Sequence, residues 1–274
     1  MDSASFQTWA AVAVTLTDGL FPYKENEVET WEASGLLLPH ALTATAYAEA
    51  APAPVANGRL LNQMGLYLRG RADFTLAKIV LERAIKIGEA TYRPDHPEVA
   101  VWVNNLGLVL QDMGDMAGAK DNYKRALEID EAIYGPNHPN VAAMVNNLAG
   151  VLSKMGNLEG AKSLYERALR IDEATYGPNH SEVATDVNNL GSVLKDMGDL
   201  AGAKANYERA LRIRRQFLGD DHLDTKSVQG WLADVMAALA AQQKQGQGQQ
   251  LGETHAVDKA VGKPGKGWWP WLKR

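Results

Sequence analysis

Four histidines recur in this chain at a constant interval of 42 residues, and histidine is a common metal ligand and proton-transfer group. They are His96, His138, His180 and His222. The ligands of a metal site must lie within about 2 Å of one ion. Equivalent positions of successive repeats lie about one repeat apart, so these side chains cannot share an ion. We therefore expect these histidines to stand in turns or at the starts of helices, and we expect neither a bound metal nor a cofactor.

A string that resembles a phosphate-binding loop, GNLEGAKS, spans residues 156–163. In a functional phosphate loop the second glycine directly precedes the lysine, and a β-strand leads into the loop. Here Ala161 precedes Lys162, and related strings at Gly114 and Gly198 indicate a repeated turn between helices, so nucleotide binding is not expected. The carboxylates fall mainly on polar helix faces or at caps. No Ser/His/Asp set or pair of acids stands out, so the sequence favours a protein that is not an enzyme.

The composition excludes further classes of function. The 274 residues include no cysteine, which rules out disulfides, thiolate metal sites and cysteine nucleophiles. A net charge of −5 with a pI near 5.7 does not indicate a nucleic-acid-binding surface. No apolar run approaches the roughly 20 residues of a membrane span, and the stretch AAVAVTL lacks the basic region of a signal peptide. We expect a cytoplasmic protein.

The repeated sequence around these histidines decides the expected fold. The tripeptide Asn-Asn-Leu begins at Asn104 and recurs at positions 146 and 188, with looser copies at 62 and 230. Each unit contains two segments with the i, i+3, i+4, i+7 apolar spacing of an amphipathic helix. A glycine follows the first segment, and the string YGPNHP or a variant of it follows the second. The pattern predicts four two-helix units over residues 56–228.

The repeats resemble a known family. Leu106, Gly107, Ala119, Tyr123 and Ala126 stand at the signature spacing of the tetratricopeptide repeat (TPR). The 42-residue period, the NNL start and the YGPNHP linker resemble the repeats of kinesin light chain, and equally the TPR arrays appended to NB-ARC-type signalling ATPases. This resemblance, over about residues 56–244, implies an all-α fold. It would be a right-handed α-solenoid of helical hairpins, with a concave groove that binds peptides or partner proteins.

The two ends of the chain depart from the repeat. In the first unit Ala72 and Arg93 stand where the later units have glycine. Residues 229–244 are predicted to form a capping helix on the open end of the solenoid. Residues 1–55 are predicted to be an N-terminal helical segment with a degenerate repeat, whose second helix would open at Pro39. Its segment WEASGLLLPHAL also resembles the junction before the TPR array of NB-ARC-type proteins.

The first asparagine of each unit is the strongest candidate for a binding residue. Asparagine is roughly 0.6 kcal/mol less favourable than alanine within a helix, yet it stands in the middle of the first segment four times, at Asn62, Asn104, Asn146 and Asn188. In TPR proteins this position faces the groove, and in kinesin-light-chain-like repeats such amides bind the backbone of an extended peptide. The alternative is a ladder of hydrogen bonds between repeats, and both roles can coexist in one amide.

The flanking groove positions set the expected ligand. A carboxylate clamp of the family would need lysine or arginine where this chain has Asn62, Ala143 and Asn147, so binding of chaperone C-termini is disfavoured. We expect an extended ligand with apolar or aromatic residues and at least one acidic residue. The flanking side chains expected to select it are Arg59, Leu66, Arg69, Leu108 and Lys195.

Residues 245–274 are predicted to form a disordered basic tail. They contain five basic and two acidic residues, a net charge of +3, and end with Trp268, Trp269 and Trp271 beside two cations. Such a composition favours weak contact with an anionic membrane or with an apolar pocket of a partner. The alternative is that the tryptophans pack onto this protein's own surface.

The sequence therefore favours a scaffold or adaptor that binds a partner protein segment in the groove. The alternative is a detached sensor or autoinhibitory arm of an NB-ARC-type signalling ATPase. No phosphate loop precedes the array in this sequence, so in that case the ATPase would be lost or encoded separately.

Overall fold

The computed structural model describes residues 2–24, 27–48 and 53–260, and this part of the chain contains eleven α-helices and no β-strand. The helices are α1 (Ser3–Leu20), α2 (Glu29–Tyr47), α3 (Pro54–Gly70), α4 (Phe74–Tyr92), α5 (Pro97–Asp112), α6 (Met116–Tyr134), α7 (Pro139–Lys154), α8 (Leu158–Tyr176), α9 (Ser181–Asp196), α10 (Leu200–Leu218) and α11 (Leu223–Ala260). No helix in these ranges is both long and apolar enough to cross a bilayer.

Helices α3 to α10 form four helical hairpins that stack on one another. The pairs are α3–α4, α5–α6, α7–α8 and α9–α10. The second helix of each hairpin also packs against the first helix of the next, and α11 packs on α10. Helices α1 and α2 pack on each other and on α3. This arrangement confirms the predicted all-α solenoid.

Local sequence fixes the turns within each hairpin. Gly114, Gly156 and Gly198 have φ of 84°, 82° and 85°, a left-handed conformation that residues with a Cβ avoid. The next residue then caps the second helix. Asp115 Oδ1, for example, accepts a hydrogen bond of 2.9 Å from the Gly118 backbone N–H.

Small and large residues interlock between the two helices of a hairpin. A Cβ placed on Gly107 would lie 2.7 Å from the ring of Tyr123, and Tyr123 itself is fully buried. Between hairpins, the second helices are joined by ion pairs at equivalent positions. These are Arg125–Glu89 at 2.5 Å, Arg167–Glu131 at 2.5 Å and Arg209–Glu173 at 2.6 Å. The same ion pair therefore recurs at the three junctions between successive hairpins.

The N-terminal segment differs from the expectation. Pro39 does not open a second helix but lies inside the continuous helix α2. Proline removes one helical hydrogen bond, but the buried face of α2, with Ser34 before it and Ala41 and Ala44 after it, crosses this position unbroken. Burial of that face offsets the lost bond. The repeat-like hairpin at this end is α1 with α2, and residues 49–52 lie outside the described residues.

The C-terminal helix is longer than the predicted cap. It begins at Leu223 rather than at residue 229, because His222 Nδ1 accepts a hydrogen bond of 3.2 Å from the Asp224 N–H and so starts the helix. Val228 and Val235 are buried, as a cap requires. The helix continues to Ala260, across residues that were expected to be disordered, and the glutamine and alanine there are compatible with a helix. Trp268, Trp269 and Trp271 lie outside the described residues.

Candidate functional site

The first helices α3, α5, α7 and α9 lie side by side and carry all the predicted groove residues on one face. We call this face the groove surface. It comprises the first asparagine of each unit and the residues three before, four after and seven after it. Val101 is 45% exposed, and Ala143, Ser192 and Lys195 are exposed as well. Leu66 and Leu108 are half-buried and pack against the core.

Amide side chains join neighbouring first helices across this surface. Asn105 Nδ2 donates to Asn62 Oδ1 at 2.8 Å, Asn147 Nδ2 donates to Asn104 Oδ1 at 2.8 Å, and Asn189 Nδ2 donates to Asn146 Oδ1 at 2.9 Å. We call these three bonds the amide ladder. Asn104 and Asn188 are each only 8% exposed. The inter-repeat alternative is thus present, and the first asparagines hold the solenoid together whatever else they bind.

The ladder ends at the fourth unit. The residue that would donate to Asn188 from the next helix is Trp231, whose ring instead packs near Tyr207 with a centroid separation of 6.2 Å. Asn188 Oδ1 is consequently buried without a hydrogen-bond partner. An unsatisfied buried acceptor is costly, so the ladder is least stabilising at this end.

The two arginines expected to select the ligand are held by carboxylates of this chain. Arg59 Nη2 lies 2.6 Å from Asp18 Oδ2 of α1, and Arg69 Nε lies 2.6 Å from Asp112 Oδ2 of α5. These pairs reduce the charge that Arg59 and Arg69 offer to an acidic ligand. Lys195 is exposed at the far end of the groove surface, and Arg59 is exposed as well although it is paired with Asp18.

The recurrent histidines cap helices, as their spacing predicts. In each case Nδ1 accepts a hydrogen bond from the backbone N–H two residues later, at 3.2 to 3.3 Å. Three of the rings also stack on the tyrosine four residues before them, with centroids 4.2 to 4.6 Å apart. Among the residues that the structure describes, no group of three or more histidine, aspartate or glutamate side chains is placed to hold a metal ion.

A pair of buried carboxyl groups lies beneath the groove surface, although the sequence suggested no paired acids. Asp172 of α8 is 6% exposed and Asp186 of α9 is 1% exposed. Asn146 Nδ2 donates to Asp186 Oδ1 at 2.8 Å. Asp172 Oδ1 and Asp186 Oδ2 have no hydrogen-bond partner unless one carboxyl is protonated and donates to the other. Burial, and then the charge of Asp172, raise the pKa of Asp186 to about 8.

The signal that could have revealed this pair is visible when the units are aligned. Asp186 stands among the apolar residues Val183, Ala184 and Val187 of the buried stripe of α9. An acid within a buried stripe is unusual and calls for a partner or a proton.

Family models confirm what this geometry indicates. Two models of the tetratricopeptide repeat match the chain, one over residues 98–174 and 140–186 and the other over 59–98 and 187–224. Together they cover more than half of its length. The chain belongs to the tetratricopeptide repeat family.

Solved structures similar to this TPR chain are kinesin-light-chain-like. BtubC (BKLC) from P. vanneervenii superposes with a TM-score of 0.61 at 22% identity, covering 80% of this chain and 94% of that one. A putative kinesin light chain of Podospora anserina with nearly identical TPR-like repeats gives 0.59 at 20% identity, covering 75% and 96%. At these identities the likeness concerns the fold. No curated protein matches the chain, and the link to NB-ARC-type ATPases stays a prediction.

Proposed function

We propose that this TPR chain is a protein-interaction scaffold that binds an extended segment of a partner along the groove surface. The observation that carries the proposal is the short side chains of this surface in the third and fourth units. Ala143 and Ser192 are exposed, and Gly150 and Ser153 are half-exposed. Short side chains allow the backbone of a ligand to approach the first helices closely.

The amide ladder is compatible with this role. An asparagine amide has two N–H donors and an oxygen with two lone pairs, and each ladder bond uses one donor of one amide and one acceptor site of the next. An extended backbone offers alternate N–H and C=O groups along its whole length, so it can bond to the remaining sites with little demand on its sequence.

The proposal is tested by adding bulk to the groove surface. The full chain and two variants are used as bait for a lysate, and captured proteins are identified by mass spectrometry. The groove variant is Ala143→Arg, at an exposed position of the third unit. The matched control is Ser163→Arg, which changes an exposed serine of the second helix α8.

We expect proteins that the unchanged chain and the control capture to be lost from the groove variant. Melting curves of all three should agree, because exposed substitutions away from caps and cores usually change stability by less than about 0.5 kcal/mol. Capture of the same proteins by all three baits contradicts binding at the groove surface.

A further inference from the structure

A cavity of about 270 Å³ opens on the groove surface at the junction of α7, α8 and α9. Ala143 and Asn146 of the groove surface form one wall. Asp172 and Tyr176 of α8 form another, and Glu182 lies at the start of α9. The cavity is smaller than most pockets for drug-sized ligands and suits a single side chain.

The chemistry of the walls is acidic. Asp172 lines the cavity although it is only 6% exposed. Its Oδ1 accepts no hydrogen bond from an N–H donor. Asp186 lies behind it, with an equally unpartnered Oδ2. Glu182 adds a third carboxylate. Two buried carboxyl groups in hydrogen-bonding contact cannot both be ionised without a compensating charge, and a cation with N–H donors beside Asp172 supplies that charge.

The stack has four equivalent junctions, each between the second helix of one unit and the first helix that follows it, and the cavity lies at the third. The other three show how the same space is otherwise filled. The pair that corresponds to Asp172 and Asp186 is Gly88 with Trp102 at the first junction and Asp130 with Met144 at the second. At the fourth junction it is Arg214 with Val228. In the first junction the Trp102 ring fills the space, since a Cβ on Gly88 would lie 2.6 Å from it. In the second junction one acid faces a thioether side chain.

The fourth junction is the informative one. Arg214 places its own guanidinium where the third junction has Asp172, and Arg214 Nη1 lies 3.1 Å from Asp224 Oδ2. There the cation and its carboxylate partner both come from this chain. Among the four junctions, the third alone sets two buried carboxyl groups against each other beside an open cavity.

We propose that this cavity is a binding pocket for a lysine or arginine side chain of the segment bound along the groove surface. This rests on the proposed function. The bound ammonium or guanidinium would donate to Asp172, with Asp186 behind it. The pocket therefore selects a cationic residue at one position, in addition to the acidic residue expected from the sequence.

In the unoccupied pocket a proton stands in for the cation. Burial and the neighbouring Asp172 give Asp186 a pKa of about 8, so at neutral pH it holds the proton. Glu182 and Glu173 favour the protonated form, whereas His180 at the edge of the cavity lowers the pKa of Asp172. Entry of a cation expels this proton. Affinity for a cationic segment should therefore rise with pH up to about 8 and level off above it.

The pocket is tested with the full chain and an immobilised array of random peptides of about ten residues. Half of the peptides carry arginine at the central position, and the other half carry citrulline there, which has a similar shape without the charge. We expect the unchanged chain to prefer arginine peptides by roughly tenfold, the scale of a charge-assisted hydrogen bond. The preference should be larger at pH 9 than at pH 6.

Three variants locate the preference. Asp172→Asn combined with Asp186→Asn should abolish it while citrulline peptides still bind. Asp186→Met, which introduces the residue that the second junction uses at Met144, keeps Asp172 in the pocket but should weaken the preference and remove its increase between pH 6 and pH 9. Asp130→Asn, the matched change one junction earlier, should leave it unchanged.

The outcomes separate the two proposals. Peptides bound without a preference for arginine, or a preference that survives the double variant of Asp172 and Asp186, overturn the pocket and leave groove binding standing. Failure of the unchanged chain to bind any peptide of either half contradicts groove binding itself, and the pocket with it.

Discussion

Arg93 is the residue whose replacement should stabilise this TPR solenoid most directly. It ends α4 with φ of 99° and ψ of 156°. The equivalent residues Gly135, Gly177 and Gly219 have φ between 80° and 86° and ψ between 163° and 172°. This region of backbone space is open almost only to glycine, and another residue held there costs about 1–3 kcal/mol. The stacked hairpins on both sides impose the conformation on Arg93 regardless.

The expected gain from Arg93→Gly follows from three contributions. Relief of backbone strain stabilises the fold by about 1–3 kcal/mol, and the greater freedom of glycine in the unfolded chain opposes it by about 0.4–1 kcal/mol. The lost ion pair with Asp95 is 3.6 Å long between side chains that are 81% and 67% exposed, so it contributes little. The net gain is about 1 kcal/mol, or an increase in melting temperature of roughly 2–4 °C.

The assay is urea and thermal unfolding followed by far-UV circular dichroism, with Arg93→Ala as the matched control. Alanine removes the same ion pair but keeps the Cβ that causes the strain, so it should leave the midpoint almost unchanged. Gly135→Ala should lower stability, because it introduces the same strain one unit later. If Arg93→Gly is no more stable than Arg93→Ala, then backbone strain at Arg93 does not destabilise the fold.

Three further predictions concern the ladder, a buried acid and the cap. Replacing Asn146 and Asn188 together by alanine removes a ladder bond and the donor to Asp186, so we expect a loss of about 1–3 kcal/mol in unfolding free energy, and unchanged unfolding would remove the ladder from the stabilising contacts. Burial raises the pKa of Asp130 to about 6 from about 3.9 in the unfolded chain. The free energy of unfolding that the protonated carboxyl maintains is therefore lost as the pH rises through that range. Asp130→Asn should therefore match the unchanged chain near pH 4 and be about 1–3 kcal/mol more stable near pH 7.5, and a difference that is constant with pH contradicts the shift. A chain ending at Asp221 exposes Leu211 of α10 and should aggregate or melt at a lower temperature than a control chain ending at Lys244, which keeps Val228 and Val235. Equal melting temperatures of the two would contradict the capping role of α11.

The hairpins were predictable because their determinants are local and repeated. The apolar spacing, the glycine after the first helix and the proline at the start of the next one act within a few residues, and the 42-residue period shows them several times. Even the strained linker at Arg93 was visible as a missing glycine. Pro39 misled the prediction because a local rule, that proline starts or breaks a helix, was overridden by burial of the α2 face against α3.

The features that were missed depend on contacts between units. Asp172 and Asp186 lie on separate hairpins, so the acid within the buried stripe of α9 does not by itself show which residue is its partner. Their burial exists only once α8 and α9 are stacked. Arg59 was expected to help select the ligand at the N-terminal edge of the groove. Its pairing with Asp18 was missed because Asp18 belongs to α1, outside the regular repeats, and no periodicity connects the two.

The recurrence of the same amides in successive units raises the question of how a bound segment takes up one register. A segment bound through its backbone to the amide ladder would meet the same amides if it slid by one repeat, because Asn62, Asn104 and Asn146 make equivalent bonds. Repeated contacts supply affinity, but they cannot choose between positions. Selection of one register therefore requires side chains that occur in a single unit.

Those side chains lie at different places along the groove surface. Leu66 and Leu108 are confined to the first two units, where the third has Gly150 and the fourth Ser192. The paired acids occur at the third junction, and Lys195 is in the fourth unit. A segment with an apolar residue, then a cationic residue and then an acidic one matches this order in one register. A slide by one repeat would set its cation against Asp130 and Met144, or against Arg214, and lose the match.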